Sequence, residues 1–264
     1  MVNHRYFGSA AITCDVTYRE VGRVGAPVLV LANSLGTDSR LWNYQVRDWA
    51  EDYRVIGFEY QGHGSPAWAG EQTMHAFALR LASLLEAIDV EEYFFCGISM
   101  GGAIGMELAR LHRNRMRKLV LANTAAEFGT QEFWAKRSEL AIGSGMSALA
   151  DATLARWFTP QFSSACSDVV AFAKTMFIQV DPQGYAACCQ AIGKFDFRAQ
   201  LGQIVQPALV IAGTDDFATT IEQAAVLSDG IPKSTYAELE TAHIGNLGAP
   251  DAFVRLVSEF LEGA

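Results

Sequence analysis

Among its five histidines this 264-residue chain has no His-x-His or His-x-x-x-His pair, and among its five cysteines no Cys-x-x-Cys. No zinc ligand set follows from such spacing, so chemistry without a metal is expected. Cys14, Cys96, Cys166, Cys188 and Cys189 are odd in number and include two adjacent residues that pair poorly with each other, which points to a reducing, cytoplasmic setting. Long apolar runs are missing too. No window of eighteen residues is free of Gly, Pro and charge, so no membrane-spanning helix is expected. Residues 1–11 carry His4, Arg5, Tyr6 and Gly8 without a continuous apolar stretch, and no secretory signal is expected there. Basic residues are outnumbered, 20 Lys plus Arg against 29 Asp plus Glu. The resulting net charge of −9 lacks the positive field that nucleic-acid or anionic-membrane binding draws on. A small molecule is the expected partner, and the sequence leaves self-association open.

What is present is a chain that is 50% hydrophobic, enough to fill the core of one large α/β domain or two small ones. Short unalternating apolar runs at 28–32, 54–58, 93–96, 118–122, 208–212 and 235–239 predict strands buried on both faces. Helical patterns near 38–51, 74–88, 100–111, 220–227 and 251–261 fall between them. This βαβα order predicts a doubly wound α/β architecture with a mostly parallel sheet. Between residues 125 and 194 the alternation stops. Tyr185, Cys188, Cys189 and Ile192 recur at helical spacing, as do Val169, Phe172, Ala173 and Met176, and breaks at 143–145, Pro160 and Pro182 predict about four short helices. An insertion of this kind leaves the carboxyl edge of the sheet, where ligand sites form. Residues 125–194 are therefore expected as a helical lid on a core of 1–124 and 195–264. Gly143 to Ala148 loosely matches a dinucleotide fingerprint but follows a helical pattern, not a strand, and no cofactor is expected.

The strongest local signal is Gly97-Ile98-Ser99-Met100-Gly101, directly after one predicted strand and directly before a helix. A serine on so tight a turn needs strained backbone angles and small neighbours. In return its hydroxyl stands clear of the sheet at a helix N-terminus, the context of a nucleophile elbow. An alcohol needs a base and an orienting acid, in the chain order Ser, acid, His. Gly213-Thr214-Asp215-Asp216 follows a strand and so does Thr241-Ala242-His243, which makes His243 the only histidine with both correct order and correct position. Spacing alone leaves Asp215 and Asp216 open as the acid. The N–H of Met100, after the nucleophile, and that of Leu35, in the loop Asn33-Ser34-Leu35-Gly36, are the candidate oxyanion donors.

These residues resemble the α/β-hydrolase superfamily and, within it, the 3-oxoadipate enol-lactonases. The likeness extends over nearly the whole chain. It is carried by Asn33-Ser34-Leu35-Gly36-Thr37-Asp38 with Trp42, by Ala122-Asn123-Thr124-Ala125-Ala126, by Arg156-Trp157-Phe158-Thr159-Pro160 and by Gly184-Tyr185-Ala186-Ala187-Cys188-Cys189. The family's Gly-Thr-x-Asp pattern implies Asp216 as the acid beside Ser99 and His243. Three positions depart from the family: Glu59 and Gln61 stand where an Asp and an Arg are usual before Gly-His-Gly, and Gly245 where Ser is usual. The resemblance implies an enol-lactone substrate bearing an acetate side chain, with another esterase, a C–C bond hydrolase or a hydrolase-like receptor as alternatives. Trp134 and Trp157 in the lid and Asn33 in the oxyanion loop are the candidate substrate contacts. Lys136, Arg137 and Arg156 are expected on a solvated lid face, with the cation for the substrate carboxylate unassigned.

Overall fold

The computed structural model describes residues 7–68 and 70–263, so part of the stretch read for a secretory signal lies outside the described residues. Along the chain come β1 (Ala11–Thr13), β2 (Val16–Gly22), β3 (Val28–Ala32), a 3-10 turn (Ser39–Trp42), α1 (Val46–Trp49), β4 (Arg54–Phe58), α2 (Met74–Ala87), β5 (Tyr93–Ile98), α3 (Met100–Leu111) and β6 (Met116–Ala122). Five helices follow: α4 (Gln131–Ser144), α5 (Ser147–Trp157), α6 (Pro160–Ala165), α7 (Ser167–Ile178) and α8 (Pro182–Gly193). The chain then returns through β7 (Ala208–Gly213), α9 (Ile221–Gly230), β8 (Ser234–Leu239), α10 (Gly245–Gly248) and α11 (Pro250–Glu262).

The strands form one sheet in the order β1-β2-β4-β3-β5-β6-β7-β8. From β4 to β8 all neighbours are parallel, while β2 joins β4 and β1 joins β2 antiparallel. Residues of β3, β5, β6 and β7 are almost all buried because helices cover both faces, which is why these runs do not alternate. β8, at the edge, is more exposed. The chain winds outward from β3 to β4, then crosses back to start β5 on the other side of β3. The sheet's direction of winding therefore reverses between β3 and β5, where the crevice of a doubly wound fold opens. Among the described residues no helix is long and apolar enough to cross a membrane, and all five cysteines are unpaired.

The fold differs from expectation in three places. The β1–β2 hairpin has no forecast in the sequence, because its turn is made by Cys14 and Asp15, both at positive φ (52° and 59°), in place of the Asn-Gly that signals such turns. The helix expected over 38–51 divides into the 3-10 turn and the single-turn α1. The insertion holds five helices, not four, because Cys166 ends α6 and starts α7 with no Gly or Pro to mark the break.

Candidate active site

Ser99 follows the last residue of β5 at φ +56° and ψ −118°, a conformation that L residues rarely adopt and that costs about 1–3 kcal/mol. Its surroundings hold it there. The Ser99 N–H donates to the Ala122 carbonyl (3.0 Å), and the Ser99 carbonyl accepts from Gly102 N–H (2.9 Å) and from the Thr124 hydroxyl (2.6 Å). Two glycines let the elbow close. A Cβ on Gly101 would lie 2.1 Å from the Ala32 carbonyl oxygen of β3, and one on Gly97 2.4 Å from the Gly101 backbone. Because the Ser99 side chain does not cap α3, its hydroxyl is free for another partner.

That partner is His243, in the loop after β8. Ser99 Oγ donates to His243 Nε2 (2.8 Å), and His243 Nδ1 donates to Asp216 Oδ2 (2.9 Å). All three residues are buried. Asp216 also accepts from Ala218 N–H (2.8 Å) and Thr219 N–H (3.0 Å) at Oδ1, and from the Thr219 hydroxyl (2.7 Å) and Asn123 Nδ2 (3.1 Å) at Oδ2. Burial raises its carboxyl, but the charge and hydrogen bond of His243 and the two Thr219 bonds outweigh this and hold it well below the usual carboxylate range. Asp215, the other candidate, is exposed, and among the described residues its carboxylate accepts only from the neighbouring Thr214 hydroxyl. The arrangement can draw the Ser99 proton toward His243 while an ionised carboxylate steadies the imidazole.

Leu35 lies in the loop after β3 and Met100 opens α3 just after β5, and these two strands are neighbours, with Ala32 of β3 opposite Gly97 of β5. Neither N–H is committed to another described residue, so both remain available to an anion beside Ser99. Asn33 lies elsewhere than expected. Its fully buried side chain donates to the Phe58 carbonyl (2.9 Å) and accepts from Trp42 Nε1 (2.9 Å), away from the cavity that Ser99 faces. The reason is local: the Phe58 carbonyl at the end of β4 and the Trp42 indole both lie within hydrogen-bond reach of it.

That cavity runs between the sheet edge and the inserted helices and is walled by Ser99, His243 and Leu35 below and Trp134, Trp157 and Tyr185 above. Both lid tryptophans thus border it; Trp134 Nε1 donates to the Phe128 carbonyl (2.6 Å), which fixes its ring. Arg137 and Arg156 also line it, contrary to the solvated placement expected for them. Arg137 donates to the Tyr185 hydroxyl through Nε (2.6 Å) and to Thr153 through a terminal nitrogen (2.5 Å). Arg156 stands over the Phe133 ring, 5.7 Å from its centre. Among the described residues neither guanidinium has a carboxylate within 4.0 Å. Burial and then repulsion by Arg137 lower the proton affinity of Arg156 below its ordinary value. Lys136 does lie on the exposed face, paired with Glu132 at 2.7 Å. The polar pattern of α4 hides which of its cations turns inward.

None of the three departures from the family pattern borders the cavity. Glu59 and Gln61 belong to the turn after β4, where Gln61 Oε1 accepts from Trp68 N–H (3.0 Å). Gly245 sits where a Cβ would come within 2.6 Å of Asn123 Oδ1.

A family model described as the alpha/beta hydrolase family matches residues 29–256. The chain is 34% identical to 3-oxoadipate enol-lactonase 2 of Acinetobacter baylyi over 248 residues, 94% of this chain and 93% of that one. It is 31% identical to 3-oxoadipate enol-lactonase 1 of the same organism, covering 91% of each. In three dimensions it superposes on the crystal structure of the enol-lactonase from Burkholderia xenovorans LB400 with a TM-score of 0.92 and 38% identity, over 96% of this chain and 99% of that one. With the elbow, the sheet order and the inserted helices already in place, these matches mean that the chain belongs to the α/β-hydrolase family.

Proposed function

We propose that this protein is a serine hydrolase that opens a small enol-lactone carrying a carboxylate, converting 3-oxoadipate enol-lactone to 3-oxoadipate. The observation that carries the reading is one cavity that joins the Ser99–His243–Asp216 relay to two guanidiniums, Arg137 and Arg156, lacking carboxylate partners. A partly buried cation without a counter-ion is costly unless an anionic ligand supplies one. An acetate side chain is such a ligand. The names of the similar proteins support the same substrate class.

The chemistry follows from the geometry. With the carboxylate held by the lid arginines, the lactone carbonyl faces Ser99. Ser99 Oγ attacks as His243 Nε2 takes its proton, Asp216 stabilises the imidazolium, and the Leu35 and Met100 N–H groups receive the tetrahedral oxyanion. Collapse breaks the ring C–O bond and sends its electron pair to the ring oxygen. The leaving group is an enolate, more stable than a simple alkoxide, which takes the proton from His243 and ketonises. Water then attacks the acyl group as His243 accepts its proton, and His243 gives that proton to Oγ as the C–Oγ bond breaks, which restores Ser99.

The test compares the carboxylated lactone with its methyl ester. A kcat/KM at least about tenfold higher for the free acid supports the reading, since a charge-assisted pair is worth that much. Equal or greater efficiency on the methyl ester, or on a plain aryl ester, favours a general esterase instead.

A further inference from the structure

The turn after β4 touches the oxyanion loop at three points and the lid at two. Glu59, fully buried, accepts from Ser39 N–H (3.0 Å) and from the Ser39 hydroxyl at one end of the loop, and from Asn33 Nδ2 (3.4 Å) at the other. The Tyr60 hydroxyl donates to the Asn33 carbonyl (2.7 Å). In the middle, His63 Nε2 lies 3.0 Å from the Gly36 N–H, one residue beyond the Leu35 donor. His63 Nδ1 lies 2.9 Å from the Gln61 carbonyl, which can only accept. The proton must therefore sit on Nδ1, which leaves Nε2 as the acceptor for Gly36. On the lid side Asp181 N–H donates to the Gly62 carbonyl (2.9 Å), and the His63 ring stacks on Tyr185, with centres 6.2 Å apart and planes at 23°.

We infer that His63 is a positioning residue for the oxyanion donors: its neutral, Nδ1-protonated ring clamps the Leu35–Gly36 peptide and ties it to Tyr185 of the lid. The inference rests on the serine-hydrolase reading of Ser99. Gly36, at φ +85°, has no side chain with which to anchor itself, and a Cβ there would strike the Phe177 ring of α7 at 2.5 Å. The loop is thus pressed from above by the lid and held from the side by the imidazole. Burial pushes His63 down to about 4, against the pull of the Gln61 carbonyl and the carboxylates of Asp38 and Asp181, so the ring stays an acceptor at neutral pH.

Rapid-mixing release of p-nitrophenolate from p-nitrophenyl acetate, by wild type, His63→Leu and His63→Gln, separates acylation of Ser99 from the preceding binding. His63→Leu should acylate about 10- to 100-fold more slowly with KM changed less than about threefold. His63→Gln, whose amide oxygen can accept from Gly36, should regain a large part of that loss. An unchanged acylation rate in folded His63→Leu overturns the inference, and so does a loss of equal size in both variants, which a packing role would produce. Should His63→Leu not fold, the wild type decides. Long-range 1H–15N correlation of the histidine rings at pH 7 should show His63 protonated at Nδ1 alone, and a proton on Nε2 overturns the clamp. Release by wild type no faster than by Ser99→Ala is a different failure. It removes the hydrolase reading and the inference with it.

Discussion

Asn123 donates its side-chain amide to Asp216 Oδ2 at 3.1 Å, the same oxygen that accepts the hydrogen bond from His243 Nδ1. At the end of β6 and at φ +44°, it also reaches the Ala242 carbonyl (3.2 Å), so one side chain joins the loop of the acid to the loop of the base.

Replacing that amide tests how far the pair depends on it. Asn123→Ala should lower kcat about tenfold at nearly constant KM, because the acid loses a bond that orients it while the substrate pocket is untouched. Asn123→Asp sets a second carboxylate against Asp216, and like charges raise the pair's affinity for protons. Activity needs the ionised acid, so the acid limb of the kcat/KM profile should move to higher pH in Asn123→Asp. Steady-state kinetics across the acid range measures both effects.

The two lid arginines should separate in their effects. Arg156→Met removes a partly buried cation that has no carboxylate partner. It should raise KM for a carboxylated lactone about tenfold or more while leaving Tm unchanged or higher. Arg137→Met should raise KM similarly but lower Tm, since Tyr185 and Thr153 lose their partner. Neither change should alter KM for the neutral methyl ester. Kinetics on the two substrates, with thermal melts of the free proteins, checks the pattern.

Much of this site is legible in the sequence, and the remainder is hidden for physical reasons. Ser99 and His243 stand out because an elbow between strand and helix is a local pattern and strand ends fix which edge a residue reaches. Asp215 and Asp216 share that edge, and only the backbone turns one inward to the Thr219 bonds and the other to solvent. Arg137 and Arg156 are hidden because their helices carry charge on several faces, so periodicity does not reveal which cation meets the cavity. Asn33 misleads in the opposite sense. Its type suits a ligand contact, but the Phe58 carbonyl and the Trp42 indole claim its side chain first. Nothing in the residues 11–22 forecasts the hairpin turn at Cys14 and Asp15, and the bonds of Glu59 and His63 to the oxyanion loop span 20 and 27 positions, beyond any local pattern.

Glu59 gives a pH signature of its own. Burial, then repulsion by Asp38, raises its carboxyl from 4.5 to about 7 against the Ser39 bonds. Between those values the folded chain holds a proton that the unfolded chain has released. Stability from this group is therefore complete below about 4.5 and is lost as pH climbs toward 7. Glu59→Gln lacks that titration. The stability of wild type relative to Glu59→Gln should fall by about 1–3 kcal/mol between pH 4.5 and 7.5. Denaturant melts of both proteins at matched pH provide the measure, and a pH-independent difference would mean that Glu59 titrates at its ordinary value.

The claim that Ser99 attacks a lactone carbonyl meets its most direct test in the hydrolysis of 3-oxoadipate enol-lactone by wild type and Ser99→Ala, followed by loss of the enol-lactone absorbance. The account predicts rapid turnover by wild type and a kcat lower by about 10,000-fold or more in Ser99→Ala, in line with the removal of a serine nucleophile. Wild-type turnover no faster than that of Ser99→Ala would contradict it.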